Sequence, residues 1–189
     1  HLVDWNSDQI LKHSRAYFQV LGEGMHLPSG VLHAPGTALT LELQENSDVF
    51  AMLQAVVNGR KLSKELLYKD ISKQDREKYQ ERVVFGQINW DVSGDPYFYE
   101  NRNTPPVLIE ESRTEEGQEE WIYYNTTKFS GKKTTVKPGG TFLSRDRGVY
   151  NIYVWQGSGS IDGHEVEAHD FDRDEVLVSY TKAIEGIPI

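Results

Sequence analysis

The chain has 189 residues, with 20 Lys+Arg against 29 Asp+Glu and a formal net charge of −9. That length suits one large domain or two small ones, and it buries roughly 70% of the unfolded surface, so a core forms without covalent staples. The absence of Cys excludes disulfides, thiolate metal sites and cysteine nucleophiles. The carboxylate surplus argues against nucleic acid, whose phosphates need clustered Lys/Arg. No run approaches about 18 apolar residues and no basic-then-apolar leader is seen, so no membrane partner and a cytoplasmic protein are expected. The chain opens on His1 rather than Met, at once inside what reads as domain interior, so a processed or truncated chain is the expectation.

In chain order, Ser7 reads as the N-cap of a short helix over Asp8–Ala16, followed by a strand at Tyr17–Val20. Turns at Gly22-Glu23-Gly24 and Pro28-Ser29-Gly30 precede Val31–His33 and the alternating run Ala38–Gln44. There Leu39, Leu41 and Leu43 share one face and Thr40, Glu42 and Gln44 the other, which predicts a half-buried strand. Phe50–Val57 reads as a strand apolar on both faces. Residues 62–82 break the rhythm, because Leu62, Leu66 and Leu67 fall at helical spacing and Ser72 offers an N-cap for a charged helix ending near Glu81. Thr104-Pro105-Pro106 reads as a linker. Beyond it, short strands at about ten-residue spacing predict a sandwich or barrel: Val107–Glu110, Glu120–Tyr124, Thr134–Val136, Tyr150–Trp155, Ser158–Ile161, Glu165–Ala168 and Glu175–Tyr180.

The residues richest in chemistry lie in 27–52. The Pro28-Ser29-Gly30 turn delivers His33 at the end of a short apolar strand, and Glu42 follows on the polar face of the next, after the Pro35-Gly36 turn. Two antiparallel strands so joined bring an imidazole near a carboxylate, a pairing that serves metal ligation or acid–base chemistry. By spacing alone the signal is weak, since a lone His beside a Gly-Pro turn is more often a satisfied structural residue.

The run Pro28-Ser29-Gly30-Val31-Leu32-His33-Ala34, then Glu42-Leu43-Gln44-Glu45-Asn46-Ser47-Asp48, resembles the signature of the type I phosphomannose isomerase family. Its members show a Pro-x-Gly-x-x-His-Ala turn, a Glu-(Ile/Leu)-Gln strand and a Ser-Asp pair. They are cupins, built as double-stranded β-helix barrels, and the histidine of this motif binds the catalytic zinc. The resemblance implies His33 as a metal ligand and Glu42 as a carboxylate lining the sugar pocket. Two features depart from the pattern. The family's Arg, four residues beyond the Ser-Asp pair, is here Met52, and Arg60 does not match its position. The family's other ligands, a Gln, a His and a Glu, come from upstream sequence, and His1, His13 and His26 have no neighbours that complete such a set. Those ligands are expected before His1, or the metal site is degenerate.

The second half also looks cupin-like in its order of turns and strands, from Lys137-Pro138-Gly139-Gly140 through Tyr150–Gly159 and Ile161-Asp162-Gly163 to Arg173–Val178. It lacks a His-x-His pair. His164 and His169 with Asp170, Asp172 and Asp174 read as a solvated turn rather than a cation site. Asn125-Thr126-Thr127 matches the glycosylation sequon by coincidence, Asp91–Arg102 reads as aromatic packing, and Ser144–Arg147 as a hairpin loop.

The resulting expectation is an all-β protein of tandem cupin barrels: residues 1–104 the C-terminal part of a first barrel with a helical insertion at 62–82, and 105–189 the second. The function expected from the resemblance is a metal-dependent aldose–ketose isomerase acting on a sugar phosphate such as mannose 6-phosphate. His33 holds a divalent metal, zinc in the family, Glu42 serves as base and Asp48 orients it. Imidazole and carboxylate ligands also accept manganese, iron or nickel. The partners are a small sugar or sugar phosphate and, in a homodimer, a second copy of the chain. The alternative is a non-catalytic carbohydrate-binding or regulatory bicupin, which Met52 favours. An iron oxygenase ranks third, since it needs two His and a carboxylate in one barrel.

Overall fold

A computed structural model describes residues 2–6, 9–47 and 49–189. The chain divides into two compact units, His1–Thr104 and Pro105–Ile189. At the junction Pro105 and Pro106 have no N–H to donate and restrict the residue before each of them, so neither a helix nor a sheet ladder runs through them.

In the first unit, a 3-10 helix at Gln9–His13 stands where the longer helix is predicted, and the expected cap at Ser7 lies outside the described residues. Strand β1 (Gly24–Met25) pairs antiparallel with β4 (Asn103–Thr104), and β2 (Val56–Val57) with β3 (Arg60–Lys61) around an Asn58-Gly59 turn. A 3-10 helix at Lys64–Tyr68 and helices α1 (Lys73–Tyr79), α2 (Arg82–Phe85), α3 (Trp90–Ser93) and α4 (Phe98–Arg102) fill the rest. Ser72 does cap α1: its hydroxyl accepts from the Asp75 N–H at 3.1 Å and donates to the Asp75 carboxylate at 2.7 Å. The core gathers Trp5, Ala55, Leu67, Tyr68 and Val84, with Ala55 and Leu67 fully buried. The Trp5 indole N–H donates to the Leu62 carbonyl at 2.9 Å, so this large ring is buried with its donor satisfied.

The second unit is richer in strand. Strands β5 (Val107–Leu108), β6 (Gly117–Tyr123) and β7 (Gly131–Val136) form an antiparallel sheet in that order. Strand β8 (Leu143–Ser144) pairs with β13 (Ile187–Pro188), β9 (Tyr150–Tyr153) with β12 (Glu175–Val178), and β10 (Ser158–Ile161) with β11 (His164–Glu167). The β10–β11 hairpin turns on Asp162 and Gly163, both with positive φ (49° and 82°), a conformation that glycine and aspartate tolerate and that matches strand twist. Helix α5 (Tyr180–Glu185) begins at Ser179, whose hydroxyl accepts from the Lys182 N–H. Ile161, Val166, Val178, Ala183 and Ile187 make the core.

This architecture corrects the all-β reading. Helices and strands are mixed, and the described strands pair in separate sheets of two or three rather than closing into barrels over 1–104 or 105–189. A barrel requires every strand to be bonded along both edges, and among the described residues only β6 has two neighbours. The expected strands at Tyr17–Val20, Val31–His33 and Ala38–Gln44 are not strands, and Phe50–Val57 contributes only β2. Leu39 is accordingly 79% exposed, with Leu41 and Leu43 also exposed, because alternation buries a face only when another element covers it.

Candidate functional site

His33 is placed by the turn that precedes it. Gly30 takes φ +78°, and the Val31 N–H closes the turn onto the Pro28 carbonyl at 3.3 Å. The same turn is pinned from outside, since Asn89 N–H donates to the Gly30 carbonyl at 2.9 Å. A Cβ at position 30 would lie 2.7 Å from the Gln87 carbonyl oxygen and 2.9 Å from the Asn89 nitrogen, so only glycine fits. Val31 is then buried, Leu32 N–H donates to the Ser93 hydroxyl at 3.3 Å, and the His33 ring emerges at an exposed position. Its Nδ1 lies 3.0 Å from the Val31 carbonyl oxygen. A carbonyl only accepts, so Nδ1 carries the proton, and in the neutral ring Nε2 keeps its lone pair. Metal-bound histidines are commonly held in this way, by a second hydrogen bond that fixes the tautomer.

Among the described residues, none of the others predicted for the site hydrogen-bonds to that ring. Glu42 is exposed on an irregular stretch, and no hydrogen bond joins it to His33. Asp48 lies outside the described residues. Met52 sits half-buried, its N–H donating to the Leu66 carbonyl at 3.1 Å. Arg60 is exposed on β3, His13 ends the first 3-10 helix, and the His26 N–H donates to the Arg102 carbonyl. Among the described residues no group of three or more His, Asp or Glu could hold a metal ion. Among the described residues a divalent metal is therefore matched by one well-prepared imidazole and not by a complete donor set.

No family model, curated protein or solved structure matches this chain. The likeness to the isomerases accordingly rests on residues 27–52, where the turn and the imidazole are the parts with defined geometry.

A second concentration of chemistry, outside every motif of the sequence, is buried in the second unit. Glu119 on β6 is 5% exposed, on the inward face that it shares with Gly117. Its Oε1 accepts from the Ser144 hydroxyl at 2.6 Å and the Thr134 hydroxyl at 3.2 Å, and its Oε2 from Lys132 Nζ at 3.1 Å. Lys132 also reaches the Arg145 carbonyl at 2.8 Å and Asp146 Oδ2 at 3.2 Å. Burial works against the Lys132 ammonium, but its bonds to Glu119 and Asp146 outweigh that and hold its pKa above the usual lysine value. Burial likewise pushes the Tyr150 phenol up, partly offset by Ser144 and Lys132, and no partner stands in hydrogen-bonding geometry to its hydroxyl. Donors from β7 and β8 converge on both oxygens of Glu119, which fastens β8 to the central sheet. The chemistry of this cluster is cohesion, because both oxygens of the buried carboxylate are taken up by donors from neighbouring strands. The sequence signal was the inward alternation Gly117, Glu119, Trp121, a carboxylate on a strand face that would otherwise be apolar.

Proposed function

We propose that this chain belongs to a sugar- or sugar-phosphate-directed aldose–ketose isomerase-like protein, in which His33 supplies one ligand of a divalent metal and Glu42 the carboxylate beside the sugar. The observation that carries the reading is the His33 ring itself. The turn that resembles the isomerase signature presents an exposed imidazole whose Nδ1–H is engaged by the Val31 carbonyl, which leaves the Nε2 lone pair to serve a metal. Glu42 is exposed, as a carboxylate must be to take a proton from an incoming sugar carbon, and aldose–ketose interconversion needs one such base to move a proton between C1 and C2.

The test is metal analysis of the purified protein together with conversion of mannose 6-phosphate to fructose 6-phosphate. His33→Ala should lose bound metal and turnover together, and Glu42→Gln should lower kcat by about 10²–10⁴-fold while retaining metal. A protein that carries metal and turns over sugar undiminished by His33→Ala would sink the assignment. Met52 favours a second reading: where the isomerases carry an Arg that holds substrate through the reaction, a thioether carries no charge. Sugar binding without turnover would support that non-catalytic, carbohydrate-binding function.

A further inference from the structure

In the second unit a cleft of about 400 Å³ is lined by β11, the Asp172-Arg173 turn and β12. Its polar lining is His164, Glu165, Asp172, Arg173 and Glu175, and Leu177 contributes an apolar patch. Three carboxylates share the lining with one guanidinium and one imidazole, and this mixture narrows the ligand. The carboxylates repel an anion. Arg173 opposes a simple cation, and no metal-binding group is formed among the described residues. The guanidinium is itself only partly engaged: Nη2 bonds Asp170 at 2.6 Å and Glu167 at 2.8 Å, Nε bonds Asp170 at 2.9 Å, and Nη1 stands 4.0 Å from Glu165, beyond hydrogen-bonding distance. The cleft thus offers carboxylate acceptors together with an unspent N–H donor.

An aromatic ledge adjoins it. Tyr153 is the register partner of Glu175 across β9–β12, and the outward face of this ribbon also carries Leu177. Tyr153 and Trp155 are 39% and 46% exposed, with ring centroids 6.1 Å apart and planes at 65°. Two exposed rings set as a corner give C–H groups a π-face to rest on, while their polar tips stay wet. Hydroxyls that both donate and accept, joined to a C–H face and carrying no charge, describe a pyranose.

We infer that this cleft and its Tyr153/Trp155 ledge bind a neutral hexose ring, at a site that shares no residue with His33. The inference does not rest on the isomerase reading.

The experiment is a ligand-observed NMR titration of the whole chain with D-mannose, D-glucose and D-galactose, run beside inorganic phosphate and putrescine. At least one hexose should saturate with a Kd on the order of 1 mM. Tyr153→Ala and Asp172→Asn, both at exposed positions, should each weaken that binding about fivefold or more with the thermal midpoint unchanged. His33→Ala should leave it unaltered, which separates this site from the proposed isomerase site. Saturation by none of the hexoses, binding indifferent to both cleft variants, binding lost in His33→Ala, or saturation by phosphate or putrescine instead would each overturn the inference.

Discussion

Replacing Lys132 by Met keeps most of the side-chain volume and removes only the charge and its donors. The variant loses hydrogen bonds to Glu119 (3.1 Å) and the Arg145 carbonyl (2.8 Å) and the ion pair to Asp146 (3.2 Å). The Lys132 and Glu119 side chains are only 12% and 7% exposed, so water does little to screen the pair or to solvate the carboxylate left behind. Breaking a buried pair by deleting one partner costs about 3–5 kcal/mol. The Ser144 and Thr134 hydroxyls still solvate Oε1, which places the expected loss near the lower end, about 3 kcal/mol. Urea unfolding followed by a probe of the second unit reads it as a fall in midpoint with little change in slope. In Lys132→Met/Glu119→Leu part of the loss should return, because the buried carboxylate goes with its partner, while the part-exposed Asp146 is left to water and the Ser144 hydroxyl loses its acceptor. Alkaline pH tests the same pair by another route. The folded pKa of Lys132 is raised, so its contribution is fully present below the unfolded lysine pKa of about 10.4 and disappears as pH rises through the higher folded value. Wild type should therefore lose stability over that alkaline window faster than Lys132→Met. A single-variant loss below about 1 kcal/mol, or a double variant no better than the single, would refute the cohesive role of the cluster.

Two further substitutions test the first unit. Leu67→Ala removes a fully buried side chain from the core and should cost about 2–5 kcal/mol in urea unfolding, whereas a cost under about 1 kcal/mol would mean that this core is not packed as described. Gly30→Ala forces a Cβ against the Gln87 carbonyl at a positive φ and should destabilise by about 1–3 kcal/mol. Hydrogen exchange should show faster exchange of the Asn89 amide, which donates to Gly30, and unchanged exchange there would contradict the pinned turn that presents His33.

Local signals in the sequence were sufficient where the interaction they report is itself local. The Ser72 cap bonds a residue three positions on, and the Asp162-Gly163 turn closes a hairpin between adjoining strands, so both could be read without knowing the fold. The pattern misled where its meaning depends on a distant partner. Leu39, Leu41 and Leu43 alternate as a strand should, yet no described strand pairs with them. Glu175–Tyr180 was read as one strand, but Ser179 ends it and caps α5. For the candidate site, the residue type and the turn before His33 were legible, while the protonated nitrogen was not, because the Val31 carbonyl selects it only once the turn is folded. The sequence alone thus determined charge, the lack of thiol chemistry, and the caps and tight turns, all of which act over a few residues. Tertiary structure alone decided that Glu119 is buried among donors from β7 and β8, and that the register of β9 on β12 sets Tyr153 beside Glu175 at a cleft. Burial and register depend on chain segments tens of residues apart meeting at one place, and no short window of sequence contains both partners.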